Sequence, residues 1–253
     1  MQKRNFIQGF FISAALGLGF ISTMPAANAM NLIPQREGEI KTTNLGCVVN
    51  AANCIESSEL GFNVTSLSYQ DSANNTYAPS RLFIDKGETA NNWGSGIQFG
   101  KTDLGTNTTQ DEYWLRAVAY DTAGKVREKG QLEVGRFKFD FGKIISEISL
   151  DLFDIEDAFK TGILEINGKP VSQLLAANGD NGTTSIVLKN VSSFVLQLGN
   201  TGPDSVFKLT GDGVRLTGLM TSQSVPEPSA AIAFGLFATV GTFGLKKRQR
   251  QHA

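Results

Sequence analysis

Histidine is almost missing from this chain of 253 residues, and the single one, His252, stands next to the C-terminus. Everything before it therefore lacks a histidine general base, a Ser-His-Asp or Cys-His arrangement, and the commonest zinc ligand. Cysteine is nearly as scarce, with Cys47 and Cys54 alone, so neither zinc nor any other thiolate-held metal has a full ligand set. Strong charge of one sign is also lacking. Six of the 23 Lys and Arg and only one of the 24 acids, Glu227, lie in the two ends, which leaves 17 basic against 23 acidic residues between them. That mildly acidic balance argues against nucleic acid and anionic lipid as electrostatic partners. Long amphipathic helical patterns are absent from the middle of the chain as well.

What is present is most specific at the ends. Lys3 and Arg4 precede the apolar stretch Phe6 to Ile21, and small residues then lead to Ala27-Asn28-Ala29. This order predicts a secretory signal peptide, residues 1–29, cut after Ala29; a retained membrane anchor is the alternative. Signal peptidase and the Sec machinery are the partners such a segment requires. In that oxidising destination Cys47 and Cys54, with six residues between them, predict a local disulfide.

At the far end, Ser229 to Leu245 carries no charge, and Lys246, Lys247, Arg248 and Arg250 follow at once. A helix rising about 1.5 Å per residue is just long enough here to cross a hydrocarbon core of about 30 Å with local thinning. The basic end would stay cytoplasmic, leaving all that precedes Val225 outside. An ordinary single-pass anchor or a buried C-terminal helix are the plainer readings. Pro226 and Pro228 nevertheless hold Glu227 in an extended, helix-free stretch just before the span, a form that suits a protease or transpeptidase. The whole arrangement in residues 225–253 resembles the PEP-CTERM sorting signal of bacteria with a Gram-negative-type envelope. That resemblance implies handling by an exosortase, a membrane enzyme, in cells that often make exopolysaccharide.

Residues 30–224 are enough for one exported domain. Its pattern is mostly of period two, broken by Gly, Asn and Asp. "FNVTSLSY" directs Phe62 and Val64 to a core, "YWLRAVAY" supplies a strand from Tyr113, and Phe137, Phe139 and Phe141 share one face of "FKFDFG". Asn167-Gly168 marks a tight hairpin. Phe194, Leu196 and Leu198 form a further row, as do Val214 and Leu216. "QDSANNTYAPS" and "GKTDLGTNTTQ" read as surface loops. The expectation is an all-β protein, an antiparallel β-sandwich of jelly-roll, galactose-binding-like type, with an N-terminal signal peptide and a C-terminal transmembrane helix. No fixed-period repeat supports a β-solenoid instead.

The segments "LEVGRFKFDFGKIISEISLDLFDIED", "GILEINGKPVSQLL" and "LGNTGPDSVFKLTGDGVRLTG", within residues 132–218, resemble the LEVG family of PEP-CTERM proteins, found chiefly in cyanobacteria. Membership implies an exported surface protein and brings no biochemical activity. The tetrapeptide itself, Leu132-Glu133-Val134-Gly135, invites a structural explanation. Apolar parity is even at Leu132 and Val134 but odd from Phe137 onward, so a β-bulge is expected at Gly135.

"SLDLFDIED" raises a sharper question. If Ile148, Leu150 and Leu152 face the core, continued alternation would bury Asp154 and Glu156, which is strongly unfavourable. Either a bulge near Leu152 and Phe153 reverses the phase, or the acids bind a cation. Asp154, Glu156 and Asp157, with Asp212 arriving from "GDG", are candidate Ca²⁺ ligands, although no cofactor is required. The same acids could serve a glycan-active enzyme, and Trp93 and Trp114 could stack on sugar, but acids adjacent on one strand suit a glycosidase pair poorly. The expectation is a non-enzymatic exported protein with a structural or adhesive role at the cell surface or in extracellular polysaccharide. A carbohydrate-binding module is the alternative, and an enzyme a distant third.

Overall fold

One strand organises the molecule. In the computed structural model β11 runs for 19 residues, Gly135–Phe153, and pairs along most of its length with β14, Thr183–Leu198. The structure describes residues 28–70, 74, 76–87, 89–100, 112–120, 124–126, 133–179, 182–199 and 215–222. The expected signal segment before residue 28, the span Ser229–Leu245, the loop 101–111, Leu132, Asp212 and Val214 lie outside them. Among the described residues no helix is long and apolar enough to cross a membrane.

Before this pair come β1 (Asn28–Asn31), β2 (Gly38–Ile40), β3 (Cys54–Ile55), the short helix α1 (Ser57–Leu60) and β4 (Asn63–Leu67). The strands β5 (Tyr69–Gln70), β6 (Thr76–Tyr77), β7 (Arg81–Lys86), β8 (Asn91–Gly94), β9 (Ile97–Phe99) and β10 (Tyr113–Val118) follow. β12 (Gly162–Ile166) and β13 (Lys169–Leu174) stand between the long partners, and β15 (Arg215–Ser222) closes the series. The protein is all-β. Eleven strands make one sheet in the order β13-β12-β14-β11-β15-β10-β7-β2-β3, with β1 added to β15 and β4 to β11. Pairing is antiparallel except between β2 and β3, which are parallel. Two hairpins, β5-β6 and β8-β9, stand apart from this sheet.

The long ribbon bends where its register slips. Asp140 pairs with Ser193 and Ile145 with Val191, so four residues of β11 oppose Ser192 alone. Such a bulge bends a strand sharply. On one side of it β11 also pairs with β4 through Arg136–Asp140, and on the other with β15 through Glu147–Phe153. Alternation places Phe137, Phe139, Phe194 and Leu196 inward on the first side and Ile148, Leu150, Leu152, Ile186 and Leu188 inward on the second. All belong to one continuous apolar core. Phe139 stacks on Phe194 at 4.7 Å between ring centres, and Phe62 reaches Phe141 at 5.3 Å. The aromatic rows expected from "FKFDFG" and "SFVLQLG" are thus both in the core.

Two other local readings are met. Asn167 (φ 52°) and Gly168 (φ 75°) form the turn between β12 and β13, both in the left-handed region that this residue pair accepts readily. Cys47 and Cys54 form the disulfide, with an S–S distance of 2.01 Å. Its loop is held from beneath by buried Glu39, whose carboxylate accepts from the backbone N–H groups of Val48 (2.6 Å) and Val49 (3.2 Å) and from Arg81 (2.6 Å). Arg81 in turn donates to the Gly46 carbonyl and to the Tyr120 hydroxyl.

The expected bulge at Gly135 is not there. Gly135 pairs with Leu198 and Arg136 with Gln197 in unbroken register. The change of parity arises because Val134 lies before the strand and belongs to a separate small cluster with Tyr69, Tyr77 and Ala119. Glycine is needed for closeness: a Cβ on residue 135 would lie 2.5 Å from the ring of Phe137 and 3.0 Å from Ser80 Cβ. "QDSANNTYAPS" also departs from a plain loop, since β5 and β6 pair across it and the Tyr69 and Tyr77 rings stack at 5.2 Å. Because the Phe137 ring is itself fully enclosed, Gly135→Ala is expected to cost roughly 1–3 kcal/mol in urea unfolding. Gly100→Ala, with nothing within 4 Å of its added Cβ, should change stability by less than about 0.5 kcal/mol.

Candidate functional site

The acidic strand end is resolved by the backbone. β11 stops at Phe153, and Asp154 takes φ 66°, which breaks the alternation; its N–H donates to the Gly182 carbonyl at 2.8 Å. The phase is reset, so Ile155 rather than Asp154 enters the core, and its carbonyl accepts from the Asn178 N–H. The reversal expected near Leu152 and Phe153 comes one residue later, and by a left-handed residue instead of a bulge. Phe153 is buried rather than facing water, set against Trp114 at 6.0 Å between ring centres. Asp154 and Glu156 are half-buried, while Asp157 is buried. Among the described residues no three Asp, Glu, Cys or His side chains gather as a metal ion would need. The calcium candidates Asp154, Glu156 and Asp157 are therefore not brought together as a ligand set, and Asp212 lies outside the described residues.

Trp114 is not available for stacking on a sugar, and Trp93 keeps only part of its surface exposed. Trp114 is 1% exposed and part of the main core. Trp93 lies half-buried against Phe83, 5.7 Å between ring centres, beside Ile97 and Phe99. The hairpin β8-β9 carries these residues over the second face of β7 and β10, so that both faces of this part of the sheet are covered.

Under that cover sits a constellation that sequence reasoning missed. Arg116, on β10, is 1% exposed; it pairs with Asp85 of β7 at 2.7 Å and with Glu133. Its guanidinium lies 4.2 Å from the centre of the Phe99 ring, a cation–π contact in a desolvated setting. Asp85 also accepts from Asn91 Nδ2 at 3.2 Å, and that amide donates to Glu37 at 2.6 Å. Glu37 accepts further from the Thr89 hydroxyl and the Lys86 N–H. A chain of polar groups thus ties the strand β7, its following loop, β10 and Glu133, two residues before β11. The glutamate of the LEVG tetrapeptide is one end of it, and the tetrapeptide's Val134 carbonyl accepts from Ser80 Oγ at 2.7 Å.

Burial pushes the Asp85 carboxyl above its ordinary range; Arg116 and Asn91 oppose the rise, and the charge of Glu37 adds to it. For Arg81, burial works against the charge, but Glu39 and Tyr120 together hold its pKa above the ordinary value. Enclosed as it is, the Arg116 cluster holds elements together and gives a solute no access. No periodicity points to it, because Arg116, Asp85 and Glu133 meet only through strand pairing across long stretches of chain. The one cue was a charged residue inside each of two apolar strands, "RLFID" and "YWLRAV".

An open trough of about 360 Å³ lies beside the bend, lined by Ser57, Ser58, Asn63, Asp140 and the edges of Phe62 and Phe141. Asp140 accepts there from the Gly142 N–H at 3.0 Å. It is the only carboxylate among the lining residues, so the trough lacks the paired acids of a glycosidase. No model of a known family, no curated protein and no solved structure matches the chain.

The cluster generates a pH-dependent prediction. A carboxyl whose folded pKa is raised contributes stability that is present below its unfolded pKa and lost as pH rises through the folded value. The difference in unfolding free energy between wild type and Asp85→Asn should therefore shift in favour of the variant as pH rises from the ordinary carboxylate range toward neutrality. A constant difference across that window would refute the assignment. Arg116→Met, which leaves two buried acids without their cation, is expected to lose roughly 3–5 kcal/mol in denaturant unfolding at neutral pH.

Proposed function

We propose that this chain is an exported surface protein of the PEP-CTERM type. It is delivered by its signal peptide, handled at Pro226-Glu227-Pro228 by an exosortase, and placed in the cell surface or its polysaccharide matrix in a structural or adhesive role. Its domain is read as a β-sandwich of jelly-roll type, the bent β11-β14 ribbon supplying strands to both layers. The observation that carries the export reading is the Cys47–Cys54 disulfide, since such a bond forms and persists outside the reducing cytoplasm. It agrees in direction with both ends of the chain, which put the domain on the same side of the membrane.

A structural role is favoured over glycan recognition by what the side chains do. Of the two tryptophans that would stack on sugar, Trp114 serves the interior and Trp93 is half-buried against Phe83, and the strongest charged constellation ties strands together under a covering hairpin. The pairing of β1 with β15 adds a condition on processing. Asn28 and Ala29 pair with Ser222 and Thr221, whereas a cut after Ala29 leaves only the pairs Met30–Met220 and Asn31–Leu219. A peptidase needs its substrate extended and free, so the cut has to precede closure of this strand.

Intact mass of the protein recovered from the surface and medium of its native host tests the reading. The expected species begins at Met30 and ends near Pro228. A chain that still ends at Ala253 would refute sorting and leave a membrane-anchored domain.

A further inference from the structure

We propose that the bend end of the domain, with Ile144 at its tip, is the face that rests on the lipid surface while the chain is still anchored, and that the end carrying Asp154 to Phe159 points away from the membrane. This rests on the reading of the terminal apolar runs as membrane-inserting segments. What the fold adds is the place where they leave. β1 begins at Asn28 and β15 ends at Ser222, and these two residues are paired, so both chain ends depart from one corner. Thr221 is also paired with Glu147, which sets that corner beside the Gly142-Lys143-Ile144 bulge of β11.

Reach decides the orientation. Only the six residues 223–228, two of them proline, separate Ser222 from the apolar run, and only residues 22–27 separate the first run from Asn28. The seven Cα-to-Cα steps from Ser222 to Ser229, or from Ile21 to Asn28, extend to at most about 25 Å, and the headgroup layer of one leaflet takes up about 5–7 Å of that. The opposite end of the sheet is the level of Phe153 and its partner Arg215, seven residues back along β15. At the usual rise this puts Ser222 about 23 Å from that level. If the Asp154 end lay on the lipid, the tether could not bridge this distance and the headgroup layer together. With the bend end down, it is ample.

The side chains at the bend suit the contact. Ile144 is 69% exposed, the most exposed of the large apolar residues described, and Lys143 beside it is exposed too. Charge is close to balanced there, with Lys138, Lys143 and Lys189 standing near Asp140 and Glu147 and the Lys138–Asp140 and Lys189–Glu147 pairs both at 3.9 Å. The contact is thus made by apolar insertion and the short tether, without electrostatic attraction to anionic headgroups.

The test uses the full chain with its C-terminal tail, reconstituted into phosphatidylcholine vesicles containing brominated acyl chains. A fluorophore is attached to Ile144→Cys or, separately, to Phe159→Cys, both exposed positions that tolerate a label. The disulfide leaves the introduced thiol as the target. Quenching at position 144 is expected to be at least twofold stronger than at 159 and to persist at high salt. Equal quenching at both positions, none at either, stronger quenching at 159, or loss at high salt, in protein whose tail resists alkaline extraction, would overturn the orientation. Protein that leaves the vesicles on alkaline extraction would instead refute the membrane reading of the tail, and the orientation with it.

Discussion

The bend in the β11-β14 ribbon is the constraint on which the rest depends. A strand of 19 residues buries only one of its faces against a core unless it turns back on itself. The extra residues between Asp140 and Ile145 let the phenylalanine row of one half and the Ile148-Leu150-Leu152 row of the other enter the same apolar interior. At about 25 cal/mol per Å² of apolar area removed from water, closing these rows into one core outweighs the few ladder hydrogen bonds lost at the bulge. β4 and β15 then find separate stretches of β11 to pair with, one on each side of the bend.

The Arg116 cluster shows how the outer part of the sheet is specified. Apolar contacts under the β8-β9 hairpin, made by Phe83, Ile97, Phe99 and Val118, do not select one docking position very sharply. A buried cation that must meet Asp85, Glu133 and the face of Phe99 together does, because any displaced arrangement would leave a charge without its partner. The LEVG tetrapeptide gains its meaning here. Glu133 supplies an anion, Val134 fills the small tyrosine cluster and accepts a bond from Ser80, and Gly135 leaves room for the Phe137 ring. Each of its three described residues serves a different contact, which is why its parity looked irregular.

How much was legible follows from the range of each interaction. Strand rows such as Phe137-Phe139-Phe141, the Asn167-Gly168 turn and the Cys47–Cys54 bond depend on residues a few positions apart, and a reader of the chain can find them. The location of the register slip could not be read that way. Gly135 looked suited to a bulge, but the slip stands at residues 141–144, where pairing with β14 and the demands of both apolar rows place it. The acids of "SLDLFDIED" were rightly suspected of a phase change, yet the device, a left-handed Asp154 bonded to Gly182, depends on a segment almost thirty residues further on. Trp93 and Trp114 looked like ligand platforms only because ring packing against Phe83 and Phe153 leaves no mark in a local pattern.

By itself the sequence determined the class of the protein, because alternation of apolar residues is enough to call for strands, and it supplied the proposal of export and sorting, because signals of that kind are linear and read by enzymes as extended chain. Tertiary structure decided which charges are buried, which aromatics are spent on the core and from which corner the two ends depart. Those outcomes depend on strand order and register. Such pairings join residues scores of positions apart, and their energies exist only once the partners meet.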